Sequence, residues 1–320
     1  MLFAYRPEAE KLSRLAVDAD LSAAIWIDLY RPQPEQTQAV ADLGLVVPTL
    51  ADMEEIELSN RLYREGGVDY MTVVLPGLSA TKAPISGPVC FIVTPDRLLT
   101  VRHHAPRPFD TYPERAEKVG AGYDRPEKLF LGLIEEITGR MADILEGIGR
   151  GLDEVAAGIY QGGAQGLGGE MLQEALARVG REGDLLGRVR LGLLTVERAL
   201  SFFGQTLAAR DNAATLRPLV KGLMRDLQAL EVHADFLASR LALTSDATLG
   251  MINLAQNATV RIVSVVAALF LPPTLIASIY GMNFVAMPEL QSPWGYPAAL
   301  VLMLASAVGT YLFFKWKRWL

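Results

Sequence analysis

The chain holds one cysteine among 320 residues, which excludes an intrachain disulfide. Cys90 sits in the apolar run 89–93 and is expected as a buried strand residue. Histidine is almost as scarce, with three in all. The His103-His104 pair has no helical partner or cysteine to complete a zinc set. No cleavable leader is read at the start, because Arg6, Glu8, Glu10, Lys11 and Arg14 interrupt it. Basic excess is missing too: 30 Lys and Arg face 36 Asp and Glu, a net charge of -6, so no nucleic-acid partner is expected. That acidity reads as ordinary solubility, with cation attraction as the alternative. The glycines at 162, 163, 166, 168 and 169 lack both a preceding strand and a following Gly-Lys-Ser or Gly-Lys-Thr. They therefore read as a helix-hairpin turn, not a phosphate cradle. The most informative absence is charge near the C-terminus, where residues 262–314 carry only Glu289.

Two membrane spans account for that absence. A hydrocarbon core of about 30 Å needs about 20 mostly apolar residues; 262–279, extendable through Tyr280, supplies one run and 295–314 another. Two segments cannot close a barrel, so both are expected as helices. The Pro272-Pro273 pair predicts a kink in the first. Arg261 precedes the first span and Lys315, Lys317 and Arg318 follow the second, whereas the loop 281–294 has no Lys or Arg. Both termini are therefore expected in the cytoplasm. Tyr280, Trp294, Tyr296, Tyr311, Trp316 and Trp319 lie near the span ends, where amphipathic rings anchor.

The other 260 or so residues suffice for an α/β domain and a helical part. Strand-like runs occur at 2–5, 24–29, 68–75, 89–94 and 98–102. Helical segments lie between them at 35–43 and from Thr49, where Thr49 and Asp52 resemble a capping box. Pro-rich punctuation at 105–113 marks a change of texture, after which 129–160 and 171–209 read as helices, the first weakened near its end by Gly147, Gly149, Gly151 and Gly158.

From about 214, with Pro218 in the first turn, apolar or small residues alternate at intervals of four and three: Leu216, Val220, Leu223, Leu227, Leu230, Ala234, Leu237, Leu241, Thr244, Thr248, Met251 and Ala255. This is a heptad seam, and nothing separates it from the first span, so one helix is expected over 214–280. It would be roughly 100 Å long and would need neighbouring helices or further copies to bury its seam. The alternation continues as Asn257, Val260, Ser264, Ala267, Leu271, Thr274, Ser278 and Gly281. Such a small, mildly polar face serves either helix packing in lipid or a water-lined pore in which Val260 and Leu271 are apolar constrictions. One helix per chain cannot enclose a pore, so the second reading requires a cyclic homo-oligomer.

The C-terminal residues Phe270-Leu271-Pro272-Pro273-Thr274-Leu275, Tyr280-Gly281-Met282-Asn283-Phe284, Met287-Pro288-Glu289-Leu290, Trp294-Gly295-Tyr296-Pro297 and Lys315-Trp316-Lys317-Arg318-Trp319-Leu320 resemble the CorA family of magnesium transporters. Trp26-Ile27-Asp28-Leu29 and Met251-Ile252-Asn253-Leu254-Ala255-Gln256-Asn257 extend the resemblance, to the family's proteobacterial branch, across essentially the whole chain. The resemblance implies an α+β membrane fold assembled as a cyclic homopentamer in the bacterial inner membrane. Its expected parts are a cytoplasmic α/β domain (1–120), a helical hairpin (121–213), a stalk helix (214–258) that continues as the pore-lining first span (259–280), an external loop (281–294), a second span (295–314) and a basic cytoplasmic tail (315–320).

Five copies of Asn283, with the carbonyls of Tyr280 and Gly281, would form the external selectivity filter, Met282 would pack between protomers and Gly281 would permit the turn out of the helix. Magnesium gives up water reluctantly, so neutral amides would address the hydrated ion. Asn257 would form an inner polar ring, and Glu289 an external acidic ring or a plain solvated carboxylate. Val260 is smaller than the residues usual at the family's inner gate. The resemblance also implies regulatory Mg²⁺ between protomers, with Asp96, Asp226, Glu231, Asp235 and Asp246 as candidate ligands, although the plainer reading of each is a solvated face residue. The expected activity is Mg²⁺ transport, extending to Co²⁺ and Ni²⁺, driven by the membrane potential, with Zn²⁺ transport of the ZntB type as an alternative. A membrane-anchored cytoplasmic sensor or enzyme would need a cofactor motif or a clustered His, Asp and Ser set in 1–210. None is found, so no catalytic residue and no organic cofactor are expected.

Overall fold

The computed structural model describes the chain except for residues 9–10, 17–18, 56, 119, 167–168, 208–212, 284–286, 318 and 320, and the side chains of 58, 160–166, 289 and 290. Phe284, Arg318, Leu320, Gly168 and the end of the helix expected to reach 209 lie outside the described residues. The chain divides into two units: Met1–Val155 with Arg178–Thr244, and Ala156–Ala177 with Ser245–Leu320.

The first unit is built on a sheet whose strands place alternate residues in two cores. Its strands are β1 (Leu2–Glu8), β2 (Lys11–Arg14), β3 (Trp26–Tyr30), β4 (Leu62–Glu65), β5 (Val68–Leu78), β6 (Pro84–Val93) and β7 (Leu98–Arg102), in spatial order β2-β1-β3-β7-β6-β5-β4. Among the described residues only β3 and β7 run parallel, and both are almost wholly buried, as strands covered on two faces should be. Period-two alternation sends Trp26, Phe91 and Leu98 to one core, and Ile27, Cys90, Leu99 and Val101 to the other, where Val40 of α1 (Pro34–Ala41) and Met53 of α2 (Leu50–Glu54) cover them. Burial pushes the Cys90 thiol up to about 11, in keeping with its expected role as an inert core residue. Thr49 and Asp52 form the expected capping box at the start of α2.

Five strands were legible in the sequence and seven are present among the described residues. The additional two, β2 and β4, are four-residue edge strands with the sequences KLSR and LYRE, and such short, charged edges discourage intermolecular pairing. The segment 105–113, expected as punctuation, is a correction: after the short α3 (Leu58–Arg61), Pro108–Arg115 forms α4. Pro108 suits the first turn, and Phe109 and Tyr112, one turn apart, pack against Trp26. Tertiary burial thus outweighs the proline content.

Three long helices follow: α5 (Pro126–Gly166), α6 (Gly169–Thr206) and α7 (Ala213–Tyr280). Within the first unit, α5 contributes Leu129, Leu133, Ile137, Met141, Leu145, Ile148 and Leu152 to the core, and α6 contributes Val189, Leu193, Val196 and Leu200. The expected seam of α7 is the buried one: Leu216, Val220, Leu223, Leu227, Ala234 and Leu237 are buried, with Leu230 and Leu241 packed at the margin. Gly132 on α5 leaves room for Tyr112, because a Cβ there would lie 2.3 Å from the phenol oxygen.

A polar network is enclosed at the parallel pair. Arg102 Nε donates to both Asp28 oxygens at 3.1 Å, its Nη2 donates to Oδ2 at 2.9 Å and its Nη1 to the His104 carbonyl at 3.4 Å. Thr100 Oγ1 donates to Asp28 Oδ1 at 2.8 Å and accepts from Trp26 Nε1 at 3.1 Å. The guanidinium also lies over the rings of Tyr30 and Phe109. Every strong donor here meets an acceptor, which is the condition for an enclosed ion pair to be tolerated.

In the second unit α7 runs without interruption through Pro272 and Pro273 to Tyr280, and α8 spans Gly295–Trp316. Each contains an 18-residue window apolar enough to cross a membrane, and only 6% of either window is buried within the protomer. A core helix of a soluble protein would be covered; these leave their apolar surface for lipid or for other copies of the chain.

Candidate functional site

The apolar part of α7 has two distinct faces. Its wholly or partly covered residues beyond Asn257 are Ala258, Val265, Ala268, Leu269, Pro272, Pro273, Ile276 and Tyr280. Val265, 6% exposed, is the most deeply covered of them. The small polar series behaves oppositely: Asn257, Val260, Ser264, Ala267, Leu271, Thr274, Ser278 and Gly281 are all exposed, with Val260 at 63% and Leu271 at 64%. At about 100° per residue, the mean directions of the two sets lie about 160° apart around the helix. On α8 the covered residues are Gly295, Ala299, Met303, Ser306, Ala307, Thr310 and Phe314, one stripe at intervals of three and four.

Two hydroxyls on the exposed face, those of Ser264 and Thr274, are already committed as donors. Ser264 Oγ donates to the Val260 carbonyl at 2.8 Å, and Thr274 Oγ1 lies 2.9 Å from the carbonyls of both Phe270 and Leu271. A hydroxyl has one proton and two lone pairs. With the proton turned back into the helix, each of these side chains offers only acceptor capacity outward. Water bound to a cation points its protons outward, so this face is complementary to a hydrated cation.

The helix ends at the Gly-Met-Asn motif. The Gly281 amide donates to the Ala277 carbonyl at 2.9 Å and the Met282 amide to that of Ile279 at 3.3 Å. Among the described glycines, positive φ occurs at Gly44, Gly66, Gly67 and Gly122 but not at Gly281. Gly281 is the turn residue that follows α7; its φ is not positive, and a Cβ there would lie 3.2 Å from the Ala277 oxygen. Met282 and Asn283 are exposed, and Tyr280 is half-buried on the covered side. Glu289 falls in a 3-10 turn, Pro288–Gln291, and its side chain lies outside the described residues. Trp294, Tyr296 and Trp316, each 76% exposed, stand at the ends of α8 where a bilayer interface would take them.

The candidate regulatory carboxylates do not assemble within one chain. Among the described residues no three His, Cys, Asp or Glu side chains converge on a metal position. Asp235 accepts an ion pair from Arg190 at 2.7 Å. Glu231 lies beside that pair in a groove between α6 and α7, and its carboxyl is held above the ordinary value by burial and by Glu197 and Asp235. Asp96 is exposed in the β6–β7 turn, and Asp226 and Asp246 are exposed on α7. His104 is enclosed against the β5–β6 hairpin, its Nε2 2.9 Å from the Leu75 carbonyl. Its burial runs against a zinc-ligand reading of the His103-His104 pair.

Comparison with known proteins places this geometry in context. The family model described as CorA-like Mg²⁺ transporter protein matches residues 22–318. The chain is 33% identical over 323 aligned residues to the proteins named magnesium transport protein CorA from Pectobacterium atrosepticum and from Escherichia coli, covering 100% of this chain and of each relative. Among solved structures, the complete CorA magnesium transporter from Methanocaldococcus jannaschii superposes with a TM-score of 0.72 at 18% identity, covering 100% of this chain and 99% of that one. The full-length CmaX protein gives 0.63 at 18% identity, covering 100% and 98%. These two likenesses speak for the fold, an α/β domain followed by a long helix and a C-terminal apolar helix. The match along nearly the whole length, in sequence and in fold, makes this chain a member of the CorA-like Mg²⁺ transporter family, whose members are transporters and not enzymes.

Proposed function

We propose that the protein carries Mg²⁺ across the bacterial inner membrane as a homopentameric channel with both termini in the cytoplasm. The observation that carries this reading is the exposed acceptor face of α7, set opposite the face the protomer covers. A single helix cannot surround an ion, so this face becomes a pore wall only when cyclic symmetry brings copies together. The 214–258 stretch of α7 is then the cytoplasmic stalk, 259–280 the pore wall, 281–294 the external loop and 295–314 the outer span. Rings of Ser264, Thr274 and Ser278 accept from the ion's water shell, Val260 and Leu271 form apolar constrictions, Asn257 an inner polar ring and Glu289 an external acidic one.

Asn283 stands at the outer end of this wall. Mg²⁺ holds its water in near-ideal octahedral geometry, and a ring of neutral amides recognises that shell without the deep electrostatic trap of a carboxylate ring. A divalent ion gains about 4.6 kcal/mol per 100 mV of inward-negative potential, so no ATP-binding element is needed for uptake. Co²⁺ and Ni²⁺, which bind water in the same geometry, are expected to pass as well. Regulatory Mg²⁺ would be bridged between protomers by carboxylates drawn from Asp96, Asp226, Glu231, Asp235 and Asp246, since one protomer does not gather three of them.

The deciding measurement is flux into proteoliposomes followed with a Mg²⁺ dye, with parallel arms for Co²⁺, Ni²⁺ and Zn²⁺. Asn283→Ala is expected to abolish selective Mg²⁺ entry while native mass spectrometry still finds a pentamer. Unchanged entry in an intact pentamer would remove the filter from the proposal, and Zn²⁺ flux without Mg²⁺ flux would replace the ion.

A further inference from the structure

The first unit contains a cleft that the transport reading does not use. It lies between the tip of the β5–β6 hairpin, the start of α4, and the facing sides of α5 and α6, and encloses about 520 Å³. Its floor is apolar, formed by Leu78, Ile144 and Leu185 among others, while Arg107, Arg140 and Arg188 line it against a single carboxylate, Asp110. Volume and lining match those of small-molecule sites, in which a mostly apolar surface carries a few converging polar groups.

Two of the arginines carry an ion pair within their own helix and the third does not. Arg188 is held by Asp184 at 2.9 Å, which orients it from outside the cleft, and Arg140 reaches Asp143 only at 3.8 Å. Arg107 has no carboxylate within ion-pair distance among the described residues. Each pair occupies one guanidinium nitrogen, so the remaining donors of Arg140 and Arg188, with those of Arg107, are available to an anion. Guanidinium groups bind phosphate oxygens bidentately. Arg107 and Arg140 also line a neighbouring polar groove of about 430 Å³, but Glu135, Glu136 and Asp143 stand there beside Arg115 and Lys118, and Glu136 pairs with Arg115 at 3.0 Å, so the anion is confined to the first compartment.

We propose that this cleft binds an organic phosphate, its apolar body on the Leu78, Ile144 and Leu185 floor and its phosphate on Arg107 and Arg140. The ligand ties the β5–β6 hairpin to α5 and α6. Two sources supply this chemistry, a soluble nucleotide and a lipid-derived phosphate ester.

The test uses the full chain in nanodiscs and isothermal titration with ADP, dodecyl phosphate and inorganic phosphate. At least one organic phosphate is expected to bind below about 1 mM, and inorganic phosphate more weakly by tenfold or more. Tight binding of ADP alone assigns the site to nucleotides, and of dodecyl phosphate alone to lipid. Arg107→Ala and Arg140→Ala are each expected to weaken binding by roughly ten- to a hundredfold. Leu78→Glu, at a half-exposed position, should weaken it too while leaving thermal unfolding of the ligand-free protein unchanged. Absence of binding by both organic phosphates, equal affinity for inorganic phosphate, or wild-type affinity in the arginine variants would overturn the proposal.

Discussion

Replacing Thr274 by valine separates the pore-wall reading from a purely structural one. The substitution keeps the side chain's shape and removes its hydroxyl. In the protomer that hydroxyl touches only its own helix, through the Phe270 and Leu271 carbonyls, and the residue is exposed, so the fold has little to lose. In a pentamer the same change deletes a ring of acceptors. A hydrogen bond is worth about 0.5–1.5 kcal/mol net; if the hydrated ion keeps two such contacts at the barrier, the loss is about 1–3 kcal/mol. Flux should then fall roughly five- to 150-fold. The matched control is Thr310→Val on α8, whose hydroxyl makes the same local bond, to Ser306 at 2.9 Å, but on a covered stripe. Both variants would be reconstituted at equal protein density and assayed by stopped-flow Mg²⁺ uptake at a clamped potential. Unchanged uptake in Thr274→Val, or an equal fall in Thr310→Val, would refute the assignment of this face to the ion path.

Three further outcomes follow from the first unit. Asp28→Ala strands the enclosed Arg102 and should cost about 3–5 kcal/mol, whereas Asp28→Leu with Arg102→Met should recover most of that loss; thermal unfolding in detergent measures both. Burial pushes His104 down to about 4 from 6.5, so the unfolded chain takes up the proton first. Stability is therefore expected to be full above about pH 6.5 and to fall by on the order of 3 kcal/mol as pH drops toward 4, a slope that His104→Gln should flatten. Leu227→Ala on the buried seam of α7 should cost about 2–5 kcal/mol, while Leu271→Ala, on the exposed face of the same helix, should leave the unfolding midpoint near that of the wild type.

The long elements were legible because period and burial act on many residues at once. The seam from Leu216 to Leu237 repeats often enough that no other face of α7 competes for the core, and its buried residues are those the alternation picks out. Strands β3 and β7 were legible as apolar runs for the same reason. What escaped the sequence depends on single contacts made at a distance. Pro108 and Pro113 read as breakers because nothing nearby in sequence announces that Phe109 and Tyr112 will meet Trp26. The edge strands β2 and β4 carry the charges that protect an edge, and those charges hide the strand. The basic cleft was invisible because Leu78, Arg107, Arg140 and Arg188 are brought together only by the packing of α4, α5 and α6 on the hairpin.

The small residues of α7 show most clearly what structure adds to periodicity. A stripe of Ser, Ala, Thr and Gly in a membrane helix serves close packing as well as it serves a pore, so composition alone leaves both open. Were the stripe used for packing inside the protomer, its residues would be covered; they are exposed, and the covered face instead carries Val265, Pro272, Pro273 and Ile276. The prolines then acquire a reason. Each removes an amide from the i→i−4 ladder, releasing the carbonyls of Ala268 and Leu269, and both of those residues are on the covered side. An unpaired carbonyl facing lipid would cost several kcal/mol, whereas one facing protein can be accommodated. No residue of the exposed series precedes a proline by four, so the wall formed by Val260, Ser264, Ala267, Leu271, Thr274 and Ser278 keeps its own hydrogen-bond ladder. Under the proposed pore reading, irregularity and ion path fall on opposite faces of one helix, and α7 could change its packing at Pro272 and Pro273 without unpairing the backbone beside the ion.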